Sequence, residues 1–214
     1  YNLSTVLFNQ KKTNEALQYA KKAADAQTAN ATFQYNYGLM CETSGDIDSA
    51  MIYYSKTLKI DPKHIKANIN LGKLFLESGD IDTALSCLKT AVSLDKNSFE
   101  AVNNLASAYL AKQDYANAVT NFLSAVKIDP NNLLVKMNLG RAYASSEQLE
   151  NAKTIYLEIL QKDNNYWDAY IEIAKVLTAL KDTKSAEGYL LTIQSKNPSY
   201  REKEVSLLLS NIRG

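Results

Sequence analysis

Pairs of large apolar residues four apart, each with a small residue beside its first member, recur along the chain at a fixed interval. Leu71-Gly72 stands with Phe75, Leu105-Ala106 with Tyr109, and Leu139-Gly140 with Tyr143. An i, i+4 apolar stripe predicts a helix, and the small neighbour lets a second helix approach closely. The interval is 34 residues and does not slip. INLGKLFLESGDIDTA at 69–84 echoes YNYGLMCETSGDIDSA at 35–50 and returns at 103–118, at 137–152 and, more weakly, at 171–186. A fixed period of this size sets the architecture before any other signal does.

Numbering each copy 1–34, with 31–64 as one copy, gives every position a physical meaning. Position 7 is Leu3, Tyr37, Leu71, Leu105, Leu139, Ile173 and Leu207, and position 11 runs from Leu7 and Cys41 to Leu177 and then Asn211. Position 20 is alanine in all six copies (Ala16, Ala50, Ala84, Ala118, Ala152 and Ala186), which predicts a second tight helix crossing. One turn later, position 24 is bulky from Tyr54 onward: Leu88, Phe122, Tyr156 and Leu190 follow. Gly45-Asp46 and Gly79-Asp80 separate the two stripes, with glycine suited to the left-handed end of a helix and Asp to the turn after it. Pro62, Pro130 and Pro198 share position 32, where proline stops one helix and helps start the next. Each copy therefore predicts two antiparallel helices of roughly 12–14 residues.

These positions resemble the tetratricopeptide repeat, W-x2-L-G-x2-Y, then A-x3-F, then P over a 34-residue period. The aromatic of position 4 is mostly absent: Gln34, Asn68, Val102 and Lys136 stand there, and only Tyr170 conforms. The resemblance implies an all-α, right-handed α-solenoid whose first helices line a concave groove and whose second helices form the convex back. The expected organisation is a single solenoid over 1–214. It comprises a truncated repeat at 1–30, full repeats at 31–64, 65–98, 99–132, 133–166 and 167–200, and a capping helix at 201–214 with Leu207 and Leu208 in register. A first helix lacking its opening positions is expected to expose Leu3 and Leu7, and the fragment reads as a piece of a longer protein.

In this family, ligands lie against positions 2, 5, 6, 9, 12 and 13 of the first helices. Position 6 here is Asn2, Asn36, Asn70, Asn104 and Asn138, then Glu172. An amide both donates and accepts, so a ladder of them can grip an extended peptide by its backbone. The competing reading is a solvated family consensus in a chain that holds 20 asparagines. Position 5 (Tyr1, Tyr35, Ile69, Asn103, Met137 and Ile171) predicts a partly apolar strip beside the ladder. Lys66 at position 2, with Lys73, Arg141 and Lys175 at position 9, lean basic and suit carboxylates, or are solvated surface charges. The two-carboxylate clamp of some relatives is not matched, because position 5 is never Lys and position 6 never Arg.

Composition narrows the rest. The 24 basic and 23 acidic residues nearly cancel, which argues against nucleic acid as partner. No apolar run approaches a membrane span. The one histidine, His64, falls in an inter-repeat turn and reads as solvated, while Cys41 and Cys87 are spaced for neither a CxxC nor a metal site and read as free thiols. Trp167 reads as packing at the start of a helix. The expectation is a non-enzymatic scaffold for a protein or peptide partner, with no cofactor or metal and no direct membrane insertion. The alternatives are a self-association module forming a weak homo-oligomer, or the substrate-guiding part of a larger enzyme or envelope protein. Lysine outnumbers arginine 21 to 3, a bias of AT-rich bacterial genomes, and either cytoplasm or cell envelope fits.

Overall fold

The computed structural model describes residues 2–10 and 12–213, apart from the side chains of Asn2 and Asn9; Tyr1 and the side chain of Asn2, counted above at positions 5 and 6, therefore lie outside the described residues. The described residues form thirteen helices and no strands. They are α1 (Asn2–Asn9), α2 (Thr13–Ala26), α3 (Ala31–Ser44), α4 (Ile47–Ile60), α5 (Ile65–Ser78), α6 (Ile81–Leu94), α7 (Phe99–Ala111), α8 (Tyr115–Ile128), α9 (Leu133–Ser145), α10 (Leu149–Lys162), α11 (Trp167–Ala179), α12 (Thr183–Lys196) and α13 (Glu202–Arg213). The odd-numbered helices from α3 to α11 each begin 34 residues after the last. The fold class is an all-α helical-repeat solenoid. It divides into two compact units, Tyr1–Ala108 and Tyr109–Gly214.

Local chemistry sets the helix ends. The Asp of position 16, read above as a turn residue, caps the helix that follows: Asp46, Asp80, Asp114 and Asp182 each accept a backbone N–H three residues on. His64 is likewise no solvated turn residue. Its Nδ1 accepts from the Ala67 N–H at 3.1 Å and so caps α5, while its ring lies 4.7 Å from that of Tyr35. Position 15 is left-handed in five successive copies. Gly45 and Gly79 hold it at φ 86° and 88°, whereas Gln113, Glu147 and Lys181 are bent to φ 63°, 60° and 65°. A side chain there costs about 1 kcal/mol, so Gln113→Gly, Glu147→Gly and Lys181→Gly are each expected to raise stability by roughly that amount in urea titrations.

The six alanines of position 20 are fully buried, and the bulky residues of position 24 close over them in each unit. In unit 1, α3 packs on α4, α5 on α6, and α2 and α4 on the helix that follows each. In unit 2, α8 through α13 pack each on the next, around a core that includes Tyr156, Ile159, Ile171, Ile173 and Leu190. Burying each aliphatic side chain of that core contributes about 1.5–3 kcal/mol. Polar residues at position 4 substitute for the missing aromatic by bonding backward. The Gln34 amide donates to the Ala24 carbonyl and the Asn68 amide to the Pro62 carbonyl. Tyr170, the residue that matches the pattern, donates its hydroxyl to the Asn164 carbonyl in the turn that precedes its own helix.

Three expectations are corrected. At position 5 the aliphatic residues are core and not a groove strip: Ile69 packs with Ala91 and Ala101, and Met137 and Ile171 are buried in the unit 2 core, while Tyr35 and Asn103 are half-buried. Leu7 is buried at 8% exposure, although Leu3 is half exposed as expected. In α13 the buried residues are Val205 and Leu209, while Leu207 is 60% exposed. Arg201 stands at φ 44° just ahead of that helix, which begins at Glu202.

Candidate functional site

In unit 1 the position-6 face is built around a tyrosine that arrives from the second helix. Gly38 on α3 has no side chain to keep α4 away; a Cβ there would sit 3.0 Å from the Tyr54 ring. The ring is fully buried, and its hydroxyl meets the first-helix residues. The Tyr54 hydroxyl donates to Glu42 Oε2 at 2.6 Å, Asn70 Nδ2 donates to that hydroxyl at 3.0 Å, and Lys73 Nζ donates to Glu42 Oε1 at 2.6 Å. One clasp thus ties α3, α4 and α5. Tyr35 leans on it with its ring 5.6 Å from that of Tyr54.

The electrostatics keep each member in its bonding form. Burial pushes the Tyr54 phenol up, the bond to Glu42 pushes it further, and only the Asn70 amide opposes. Burial also raises Tyr35, against a hydrogen bond from Asn70. Lys73 is raised chiefly by its hydrogen bond to Glu42. At neutral pH both phenols are therefore neutral and Lys73 is charged.

The other asparagines differ in their commitments. Asn104 accepts from its neighbour Asn103 at 3.4 Å, and Asn103 Oδ1 is buried without a partner. Asn36 on α3 and Asn138 on α9 are half-buried, and neither makes a side-chain hydrogen bond among the described residues. Lys66 stands exposed on α5.

Unit 2 contains a second such tyrosine. Gly140 on α9 faces Tyr156 of α10, and a Cβ there would fall 2.4 Å from the ring. The Tyr156 hydroxyl is buried with no hydrogen-bond partner. Burial raises its phenol, the negative charge of Glu172 raises it further, and Arg141 opposes. Arg141 Nη2 lies 3.4 Å from Glu172 Oε1, and Lys175 lies 3.8 Å from Glu172 and 3.0 Å from Glu204. The cations expected to meet carboxylates, Lys73, Arg141 and Lys175, thus already meet those of this chain. Sequence reasoning missed Tyr54, Tyr156, Glu42 and Glu172. The available signal was the coincidence of Gly at position 8 with Tyr at position 24, which occurs in only these two repeats.

Among the described residues no group of three or more His, Cys, Asp or Glu is arranged to hold a metal ion, and no helix is long and apolar enough to cross a membrane. Paired helices repeating at a 34-residue interval, with first-helix residues bonded laterally within each unit, define a repeat scaffold. Two family models of the tetratricopeptide repeat match residues 1–65 with 69–132, and 135–166. The chain belongs to that family, whose fold is that of a protein–protein interaction scaffold.

Solved structures with the same fold include MamA protein (26% identity, TM-score 0.73), which covers 82% of this chain and 97% of its own. YrrB, described as a TPR protein with an unusual peptide-binding site, has 15% identity and a TM-score of 0.78 over 91% of this chain and 97% of its own. Pseudomonas aeruginosa pilF has 17% identity and a TM-score of 0.73 over 99% of this chain and 94% of its own. No curated protein matches the chain.

Proposed function

We propose that this chain is a non-enzymatic scaffold that holds an extended segment of a protein partner against its first helices. The contacts would be Asn36, Asn70 and Asn104 in unit 1 and Asn138 in unit 2. The observation that carries the reading is the recurrence of half-buried amides at one helix position, with Asn36 and Asn138 unengaged. Asn70 supports it differently: its Nδ2 is taken by the Tyr54 hydroxyl, which leaves its Oδ1 as the acceptor for a peptide N–H. YrrB supports the class of ligand, since it carries a peptide-binding site on a similar fold.

The aliphatic residues of position 5 drop out of the mechanism, because Ile69, Met137 and Ile171 are buried; Tyr35 is half-buried. Affinity then rests on hydrogen bonds of about 1 kcal/mol each, added to whatever surface the partner covers. Lys73 and Tyr35 act by holding Asn70 and its clasp in place, and Lys66 is an exposed cation on α5.

Affinity capture from an extract of the native cell tests this. The triple variant Asn36→Ala, Asn104→Ala and Asn138→Ala, with unchanged helical content, is expected to bind the retained partner about ten- to a hundredfold more weakly. Equal retention by both proteins would remove the asparagines from the mechanism.

A further inference from the structure

In unit 1 the end of α2 meets α3 and α4 around a cleft that none of the position-6 asparagines lines. Its volume is about 280 Å³, at the lower edge of the range for small-molecule sites. Asp25 and Thr28 come to it from the α2 side, Gln34 from α3, and Lys56, Lys59 and Ile60 from α4. Lys56 and Lys59 are three apart on one helix and so share a face. A wider cavity, of about 690 Å³, also touches Thr28 and Ile60.

Gln34 is the buried member of the set, at 2% exposure. Its Nε2 is spent on the end of α2, donating to the Ala24 carbonyl at 2.8 Å and to the Gln27 carbonyl at 3.5 Å. Its Oε1 accepts from nothing among the described residues and, unlike the Tyr156 hydroxyl, is not sealed from solvent. A buried amide oxygen left in this way calls for an N–H donor.

The charges around the cleft carry a second requirement. Asp25, Lys56 and Lys59 are exposed, and no ion pair joins them among the described residues. Lys56 lies over the Tyr53 ring, 4.0 Å from its centroid, and Lys59 meets no acid. A simple anion would be repelled by Asp25 and a simple cation by the two lysines. A ligand that carries both charges is attracted by both.

We infer that this cleft binds a free α-amino acid with an apolar side chain. The ligand's carboxylate pairs with Lys56 and Lys59, and its ammonium donates to Asp25 and to Gln34 Oε1. Its side chain lies along Ile60 toward the wider cavity. The site is separate from the asparagines proposed to hold the protein partner.

The test uses the full 214-residue chain, labelled at the glutamine amide nitrogens. It is titrated with L-leucine, with N-acetyl-L-leucine, which lacks the ammonium and stands for a peptide chain end, and with L-leucinamide, which lacks the carboxylate. L-leucine is expected to shift the Gln34 amide saturably, and both analogues to bind at least about tenfold more weakly. Lys59→Met and Asp25→Asn alter exposed side chains and keep the fold; each is expected to weaken L-leucine about fivefold. The triple asparagine variant is expected to bind it unchanged, so this site and the peptide reading fail separately. No saturable shift, either analogue binding as tightly as L-leucine, or an unchanged affinity in either single variant would each overturn the inference.

Discussion

Gly140→Ala is expected to destabilise unit 2 by about 3 kcal/mol, the upper part of the range for overpacking a close-packed core. The methyl group would lie 2.4 Å from Tyr156 Cε1 and 2.7 Å from Cζ, inside any tolerable contact. The ring cannot swing aside, because Tyr156 is fully buried with Ala152 and Ile159 in the same core. Another repeat of unit 2 supplies the remedy. Ala174 and Leu190 occupy the corresponding positions 8 and 24, and both are buried without strain. The double variant Gly140→Ala/Tyr156→Leu is therefore expected to recover most of the loss, a coupling of about 2 kcal/mol in a double-mutant cycle read by urea unfolding. Simple additivity of the two losses would mean that the close approach does not set the residue at position 140.

Tyr54→Phe and Tyr156→Phe are expected to change stability in opposite directions, although they remove the same atom from equivalent positions. Tyr54→Phe deletes a bond to the Glu42 carboxylate and leaves Asn70 without its acceptor, a loss of about 1.5–3 kcal/mol. Tyr156→Phe deletes a buried hydroxyl that bonds to nothing, and is expected to gain about 1–2 kcal/mol. On a chain of this size, that separates the two melting temperatures by several degrees. Equal shifts of the same sign would show that the two clasps do not differ as described.

The helix-pair architecture was readable because the 34-residue period is carried by contacts that each repeat must make. The position-20 alanines mark a close helix crossing, and all six are fully buried. Periodicity shows which residues are equivalent, but not which way each one faces. Ile69, Met137 and Ile171 are equivalent, yet their side of the helix packs into the core, and the groove strip expected of them is absent.

The clasps were missed for a related reason. Their bonds run across repeats, from Lys73 to Glu42 and from Arg141 to Glu172, so comparison of like positions does not bring the partners together. His64 misled through its place in a turn: a side chain just before a helix caps it, and a neutral imidazole nitrogen accepts an N–H as readily as an Asp oxygen does.

Whether the partner lies along the first helices is measured directly by site-directed photo-crosslinking. A benzoylphenylalanine replaces Leu39 on α3 or, for comparison, Ile52 on α4 or Leu157 on α10; all three are exposed apolar residues, so the label is tolerated. In extract of the native cell, the captured partner is expected to cross-link from position 39 and from neither second-helix position. Cross-linking from 52 or 157 with none from 39 would contradict the account and move the interaction to the second helices.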